Sequence, residues 1–328
     1  GKRSLTQGMS KRIDRIITPE EIEQARKGWM SFPLNHVGST LTELMGLPAM
    51  RATLRAEVRD RRTDDDGMVV EDIWLDSEPG TLVPTYLCYP ENLKGPAPTI
   101  LCIHPTGSNR AQLVEKEYRH EAPMLYGWGR ELARRGFVTL SPTCHSFGER
   151  RELGEEWGDV ELHMLLWGRS AVSWLVFDAM RCLDYLEARH DVDVNRLGCM
   201  GSSLGRITTW MTMAIDKRIK AGVSVGGALG SWVGNPRGHS SYYYIPNVLR
   251  HFDQPQVVAS MAPRALLVVH SLSDGYVSNE SVVEMEAHAR PFYEKLGAGE
   301  RFKVHMPPGE HDLNPRSVHG LVQSLALI

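Results

Sequence analysis

Long apolar runs are absent from this sequence. The longest, such as Ala265–His270, have the length of a β-strand and fall far short of the roughly 18 residues that a membrane-spanning helix needs. Runs of lysine or arginine are absent as well, and the formal net charge is −3 at pH 7. We therefore expect a soluble protein that binds neither a membrane nor nucleic acid, because such segments usually mediate that binding.

Cysteine is also scarce. The sequence holds five scattered cysteines, namely Cys88, Cys102, Cys144, Cys182 and Cys199. Their spacing matches no zinc site, so we expect no bound metal. An odd number of scattered cysteines favours reduced thiols and a cytoplasmic location. A leader removed from the N-terminus would leave a secreted or periplasmic location open.

The length and pattern of the chain predict one large catalytic domain. The 328 residues are 42% hydrophobic and can bury a sizeable core. Residues 1–55 read as a helical extension that packs on a domain formed by residues 56–328. Near alternation of apolar and polar residues up to Tyr89 favours antiparallel strands at one sheet edge, whereas strand and helix patterns alternate from Thr99 onward. Segments at about 142–167 and 226–260 interrupt that alternation and are expected to shape a pocket.

The segment Gly201–Gly205, with the sequence Gly-Ser-Ser-Leu-Gly, is the most informative motif. It follows a predicted strand at Val194–Met200 and precedes a predicted helix at Ile207–Ile215. A Gly-x-Ser-x-Gly turn between a strand and a helix is typical of a nucleophile elbow, in which the central serine is held in a strained bend at a helix N-terminus. The motif therefore makes Ser203 a candidate nucleophile.

Partners for such a serine occur downstream in the expected order, the acid before the histidine. Asp274 follows the apolar run Ala265–His270, and His311 follows a predicted strand at Phe302–Met306. Both lie where parallel strands end, which is the edge at which open sheets of this class place their sites. We interpret Asp274 as the acid and His311 as the base of a catalytic triad.

Backbone N–H groups are also needed to hold the negative charge that develops on a carbonyl oxygen. We assign this role to the amides of Leu204, which follows the nucleophile, and Thr106, which follows the strand Thr99–His104. The amide of Gly107 is the alternative to that of Thr106. For His104 we favour hydrogen bonds to nearby backbone over a role in proton transfer.

These features together resemble an α/β-hydrolase of the dienelactone hydrolase and acetyl xylan esterase type, from about Asp72 to the C-terminus. The matching features are His104–Gly107, the elbow, Ala262–Arg264 before the acid strand, Trp167–Ser170, and the Asp274 and His311 loops. The resemblance implies the α/β-hydrolase fold: a mostly parallel central sheet with an antiparallel N-terminal edge and helices on both faces. It also implies an esterase acting on small-molecule esters with short acyl groups, without metal or organic cofactor. Arg206 departs from the small residue usual after the elbow, and we expect its side chain to lie along the helix flank.

Several functions remain open at this point. The foremost is hydrolysis of carboxylic esters through an acyl-enzyme intermediate, including acetyl esters of carbohydrates. The same triad also serves peptidases, lactonases and carbon-carbon hydrolases. A third alternative is a non-catalytic ligand-binding protein on a hydrolase scaffold. A homo-oligomer is compatible with each of them.

Overall fold

The computed structural model describes residues 18–49, 53–117, 127–151, 157–226, 229–233 and 241–311. The strands are β1 (Ala56–Thr63), β2 (Met68–Asp76), β3 (Leu82–Pro90), β4 (Ala97–Ile103), β5 (Val138–Pro142), β6 (Val192–Ser202), β7 (Ala221–Val225), β8 (Ala265–Val269) and β9 (Phe302–His305). The α-helices are α1 (Pro19–Met30), α2 (Val37–Leu44), α3 (Arg110–Val114), α4 (Trp128–Arg134), α5 (Trp157–Leu166), α6 (Val172–Glu187), α7 (Leu204–Ile215), α8 (Gln254–Ser260) and α9 (Asn279–Lys295).

All of these strands belong to one sheet with the order β1-β2-β3-β5-β4-β6-β7-β8-β9. Neighbouring strands from β5 to β9 in that order are parallel, whereas β1, β2 and β3 pair in antiparallel fashion at one edge, and β3 is antiparallel to β5. This arrangement confirms the predicted mostly parallel sheet with an antiparallel N-terminal edge. In the parallel part the strand carboxyl ends lie along one edge of the sheet, so the segments that follow β4, β6, β8 and β9 come together there.

The core lies on both faces of the sheet. Successive residues of β4 illustrate this: Leu101 and Ile103 belong to one buried cluster, and Ile100 and Cys102 belong to another. Helices α6 and α7 supply side chains to the first cluster, and α3 and α4 to the second. Helices therefore cover both faces, as predicted. The continuous apolar character of β4 follows from this double burial, because a parallel strand has no face left for solvent.

The N-terminal helices pack on this core. Helix α1 begins with a capping box in which the Thr18 side chain accepts from the Glu21 N–H and the Glu21 carboxylate accepts from the Thr18 N–H. Near the end of α1 the Trp29 indole N–H donates to the carbonyl oxygen of Leu249. In α2, a Cβ on Gly38 would lie 2.8 Å from the Ala214 carbonyl oxygen at the end of α7. The division into an extension (1–55) and a catalytic domain (56–328) stays a prediction.

The two segments expected to interrupt the alternation contain short helical elements, and their role in shaping a pocket stays a prediction. The chain after β5 contains a 3₁₀ turn at Gly148–Arg150 and helix α5, and the chain after β7 contains 3₁₀ turns at Ser241–Tyr243 and Val248–Arg250. Arg150 is held by a buried ion pair with Asp178 of α6. Within the described ranges, each helix is too short or too polar to cross a lipid bilayer.

Candidate active site

The predicted elbow is a sharp bend between β6 and α7. Ser203 lies between them with φ 53° and ψ −111°, a region that residues with a side chain rarely occupy. Its N–H donates to the Val225 carbonyl oxygen at the end of β7 over 2.9 Å. The neighbouring strand therefore helps to hold the strained residue, which is 8% exposed.

Two glycines make this bend possible because the backbone passes very close to itself. A Cβ on Gly201 would lie 2.1 Å from the carbonyl group of Gly205, and a Cβ on Gly205 would lie 2.1 Å from the carbonyl oxygen of Ile103. Neither position can hold a side chain without movement of backbone atoms. The spacing of the glycines in the sequence thus follows from steric contact inside the turn and with the end of β4.

Ser203, His311 and Asp274 form one hydrogen-bonded chain, although more than 100 residues separate the serine from the histidine. His311 Nε2 lies 3.0 Å from Ser203 Oγ, with a sequence separation of 108. His311 Nδ1 lies 2.7 Å from Asp274 Oδ2. The Tyr276 ring meets the imidazole edge to face, with ring centroids 4.4 Å apart. This geometry allows the imidazole to accept a proton from the serine while the carboxylate fixes its orientation.

The environment of Asp274 favours its charged form. Burial by itself disfavours that form, but the hydrogen bonds from His311 and from the Tyr276 N–H outweigh it and lower the pKa of Asp274 below its ordinary value. The Tyr276 N–H donates to Asp274 Oδ1 over 2.9 Å. Each carboxylate oxygen thus has its own donor, and the carboxylate can accept the Nδ1 proton of His311.

The chain is similar in sequence or in fold to several known proteins. No family model matches the sequence. The Bacillus subtilis (strain 168) protein described as "Putative hydrolase YtaP" is 29% identical over 265 residues, covering 78% of this chain and 85% of that protein. A glucuronoyl esterase from Solibacter usitatus superimposes with a TM-score of 0.72 at 18% identity, covering 92% of this chain and 93% of that one. An acetyl xylan esterase from Paenibacillus sp. R4 gives a TM-score of 0.63 at 14% identity, covering 95% and 99%.

The strand order, the elbow after β6 and these superpositions agree. This is the α/β-hydrolase fold. The predicted fold class is therefore confirmed, and the similarity runs through nearly the whole chain. At these levels of sequence identity the superpositions establish the architecture alone, and the chemistry depends on the side chains of the site.

The α/β-hydrolase fold brings the two predicted amide donors to the same strand edge. Leu204 is the first residue of α7, and first-turn N–H groups have no carbonyl partner inside their own helix. Thr106 lies in the turn after β4, where the Ser108 N–H donates to the Pro105 carbonyl oxygen. The proposed oxyanion role of Leu204 and Thr106 stays a prediction, as does the alternative of Gly107.

His104 has backbone partners on both ring nitrogens. Its Nδ1 lies 2.8 Å from the Pro105 carbonyl oxygen, and its Nε2 accepts from the Cys144 N–H over 2.8 Å. Burial lowers the pKa of His104 to about 4, so the ring is neutral with the proton on Nδ1. The ring ties the loop after β4 to the loop after β5, in agreement with the backbone-bonding role favoured from the sequence.

Arg206 is buried rather than spread over an open helix flank. Its side chain is 1% exposed, and burial lowers its pKa to about 10, while the nearby Tyr243 and Asp274 favour the charged form. The flank on which we expected it is covered by the segment after β7. The sequence pattern missed this because the covering residues lie more than 30 positions away.

Aromatic residues of the segment after β7 mostly serve packing. Trp232, Tyr242 and Tyr243 are buried, whereas Tyr244 is 41% exposed. The Trp232 indole N–H donates to the Tyr243 carbonyl oxygen, and the Trp232 ring lies 5.9 Å from the Trp210 ring of α7. In this segment the structure supports packing for three of the four aromatic residues.

No cluster of three or more His, Cys, Asp or Glu side chains that could hold a metal occurs among the described residues. One side chain at the site was not singled out from the sequence: Tyr276, whose ring contacts His311 as given above. Glu161 of α5 is also unexpectedly a buried carboxyl group. Only tertiary packing reveals either feature, since neither residue belongs to a motif.

Proposed function

We propose that this protein is a serine hydrolase that cleaves carboxylic esters with short acyl groups through an acyl-enzyme intermediate. The observation that carries the proposal is the hydrogen-bonded chain from Asp274 through His311 to Ser203. Solved structures with the same architecture include proteins named as esterases, and the similar Bacillus protein is named as a hydrolase. These names support hydrolysis of an ester, and the side chains of the site support the finer mechanism.

The first half-reaction forms the acyl-enzyme. Ser203 Oγ attacks the ester carbonyl carbon while its proton passes to His311 Nε2, and the carbonyl oxygen becomes an oxyanion near the amides of Leu204 and Thr106. The bond to the alcohol oxygen then breaks, and that oxygen takes the proton from His311. Asp274 stabilises the imidazolium that exists between these two transfers.

The second half-reaction repeats the attack with water. His311 removes a proton from the water, the hydroxyl group adds to the acyl carbon, and the same amides receive the charge. Collapse of this intermediate returns the proton to Ser203 Oγ and releases the carboxylic acid. An oxyanion donor of this kind contributes about 3 to 4 kcal/mol to stabilisation of the transition state.

Labelling and turnover together test the proposal. A fluorophosphonate should form one covalent adduct on the wild-type protein, as measured by intact mass. The variant Ser203→Ala should form none, and its hydrolysis of p-nitrophenyl acetate should fall by at least about 10⁴-fold. Ser202→Ala is the matched control, because Ser202 is an adjacent buried hydroxyl outside the chain of hydrogen bonds; it should still be labelled.

The other functions give different outcomes. If Ser203 is labelled but only peptides or lactones in a substrate panel are hydrolysed, the triad is intact and cleaves a bond other than a simple carboxylic ester. A folded wild-type protein that is neither labelled nor active on any ester would overturn the proposal in favour of the non-catalytic ligand-binding protein. Near-normal turnover by Ser203→Ala in a preparation free of contaminating esterase would overturn the choice of nucleophile.

A further inference from the structure

The acid and the base of the triad lie on two loops whose backbones are joined. We call residues 270–278, which follow β8, the acid loop, and residues 306–311, which follow β9, the histidine loop. Two N–H groups of the acid loop donate to carbonyl oxygens of the histidine loop, each over 2.9 Å: Leu272 to Pro307 and Ser273 to Gly309. These bonds continue the pairing of β8 with β9 beyond the strand ends, so they fix the separation of the two loops.

The acid loop is also held by the first residue of α9. Asn279 Nδ2 donates to the Leu272 carbonyl oxygen over 3.1 Å, and Asn279 Oδ1 lies 2.9 Å from His270 Nε2. Within the loop, the Asp274 N–H donates to the Ser271 carbonyl oxygen, and the Asp274 side chain is fully buried. The carboxylate of the triad therefore has a fixed place above the end of β8.

The place of the His311 imidazole depends on contacts of the ring itself. Its side chain is 21% exposed. Two of its contacts run through ring nitrogens, to Ser203 Oγ over 3.0 Å and to Asp274 Oδ2 over 2.7 Å. A further contact is with the Tyr276 ring, whose centroid lies 4.4 Å away at an interplanar angle of 64°. Tyr276 thus packs against the imidazole without using either nitrogen.

Formation of the acyl-enzyme removes one of these contacts. Once Ser203 Oγ is bonded to the acyl carbon it carries no proton, so it can no longer donate to His311 Nε2. The bond from Nδ1 to Asp274 and the contact with Tyr276 do not involve the serine, and both persist. A hydrogen bond at Nδ1 by itself lets the imidazole tilt about that bond, whereas a packed aromatic ring opposes the tilt. The second half-reaction still needs Nε2 in place to take a proton from water.

We propose that Tyr276 is a positioning residue that keeps His311 directed at the attacking water in the acyl-enzyme. The inference rests on the proposed esterase function and adds a difference between its two half-reactions. During acylation the serine itself helps to hold the imidazole, and during deacylation the Tyr276 ring takes over this part. Tyr276 is anchored for the task, because its own N–H donates to Asp274 Oδ1 over 2.9 Å. The ring that packs on the base is therefore fixed to the acid.

Saturating p-nitrophenyl acetate tests the two half-reactions separately. The steady-state ratio of acetylated to unacetylated enzyme equals the acylation rate constant divided by the deacylation rate constant. Acid quenching and intact mass measure this ratio, and Ser203→Ala gives the background of non-specific acetylation. In Tyr276→Ala the ratio should rise by about threefold to tenfold, which is the range that such an aromatic pair contributes. The kcat/KM, which reports acylation, should stay within about twofold of wild type because the serine still holds Nε2 in that step.

Two further variants separate the ring from the loop. Tyr276→Phe keeps the aromatic ring, so it should show the wild-type ratio. Leu272→Ala removes another exposed side chain of the acid loop, which is 48% exposed compared with 44% for Tyr276. This change leaves the backbone hydrogen bonds of Leu272 in place, so the ratio should not change. A general disturbance of the acid loop would not depend on the presence of the ring.

Each outcome decides the matter. A ratio within about twofold of wild type in folded Tyr276→Ala overturns the positioning role and leaves the esterase proposal intact. An equal rise in Tyr276→Phe or Leu272→Ala also overturns the role, because the ring is then not the cause. If Tyr276→Ala does not fold, Tyr276→Leu replaces it with the same expected rise, and absence of that rise overturns the role. A wild-type protein that forms no acetyl adduct on Ser203 and hydrolyses no ester overturns the proposed function and this inference with it.

Discussion

Replacing Asp274 by asparagine tests whether the carboxylate sets the tautomer of His311. In the native site Asp274 Oδ1 accepts from the Tyr276 N–H over 2.9 Å, and Oδ2 faces His311 Nδ1 over 2.7 Å. An amide in the same place has one oxygen and one NH₂ group. If the amide oxygen still accepts from the Tyr276 N–H, the NH₂ group faces His311 Nδ1. Nδ1 must then accept a hydrogen bond from that NH₂ group. The proton of the neutral ring moves to Nε2, and His311 can no longer take the proton of Ser203.

The opposite orientation of the amide is costly. It would restore an acceptor for His311 Nδ1, but it would place the NH₂ group against the Tyr276 N–H, leaving two donors without acceptors where the Asp274 side chain is fully buried. Leaving each such donor unsatisfied costs about 1 to 3 kcal/mol. Together these costs restrict the active orientation to a population of roughly 1 in 30 to 1 in 3 × 10⁴. Loss of the negative charge that stabilises the imidazolium adds to this effect.

We therefore expect Asp274→Asn to lower kcat by about 10³- to 10⁴-fold, within the range known for this change in triads that work in this way. The assay is hydrolysis of p-nitrophenyl acetate by purified protein, with circular dichroism and melting temperature to verify the fold. Glu310→Gln is the matched control, since it neutralises an exposed carboxylate next to His311 in the sequence. A kcat for Asp274→Asn within about tenfold of wild type would refute the reasoning about the tautomer.

Two more predictions concern stability. Gly205→Ala should strongly lower the melting temperature or prevent folding, because the new Cβ would clash with the Ile103 carbonyl oxygen. We expect the free energy of unfolding to fall by roughly 3 kcal/mol or more. Gly28→Ala is the control and should not be destabilised, because its Cβ would contact nothing within 4 Å. Because the pKa of Glu161 is raised from 4.5 to about 8 in the folded state, the stability linked to its protonation is complete below pH 4.5 and is lost as the pH rises through about 8. Glu161→Gln should thus gain in melting temperature relative to wild type between pH 5 and pH 9, and a constant difference across that range would contradict the buried carboxylic acid.

Much of the framework could be predicted from local patterns. The strand before the elbow, predicted at Val194–Met200, is observed at Val192–Ser202, and the helix after it begins at Leu204 instead of Ile207. The strand predicted at Thr99–His104 runs over Ala97–Ile103. The predicted and observed ends differ because two non-local factors decide where an element stops. These factors are pairing with neighbouring strands and steric closure of the turn, and a local sequence pattern contains neither.

Arg206 and Glu161 show where local patterns gave no guidance. The sequence pattern placed Arg206 along a helix flank and gave no reason to single out Glu161, since charged side chains are rarely fully buried. Both are buried because distant segments cover them: the Ser241–Tyr243 turn lies against α5 and α7. Their burial depends on the contact between the segment that follows β5 and the segment that follows β7.

By itself, the sequence determined the order of strands and helices, the glycines that permit a strained bend at Ser203, and the succession of serine, acid and histidine at strand ends. These depend on backbone sterics and on the burial of apolar runs, which act over a few residues. Only the tertiary structure decided that Ser203 Oγ lies 3.0 Å from His311 Nε2 and that Glu161 points inward. Distances between residues that are far apart in the chain are set by how the sheet twists and how its loops pack, and local sequence carries no record of that packing.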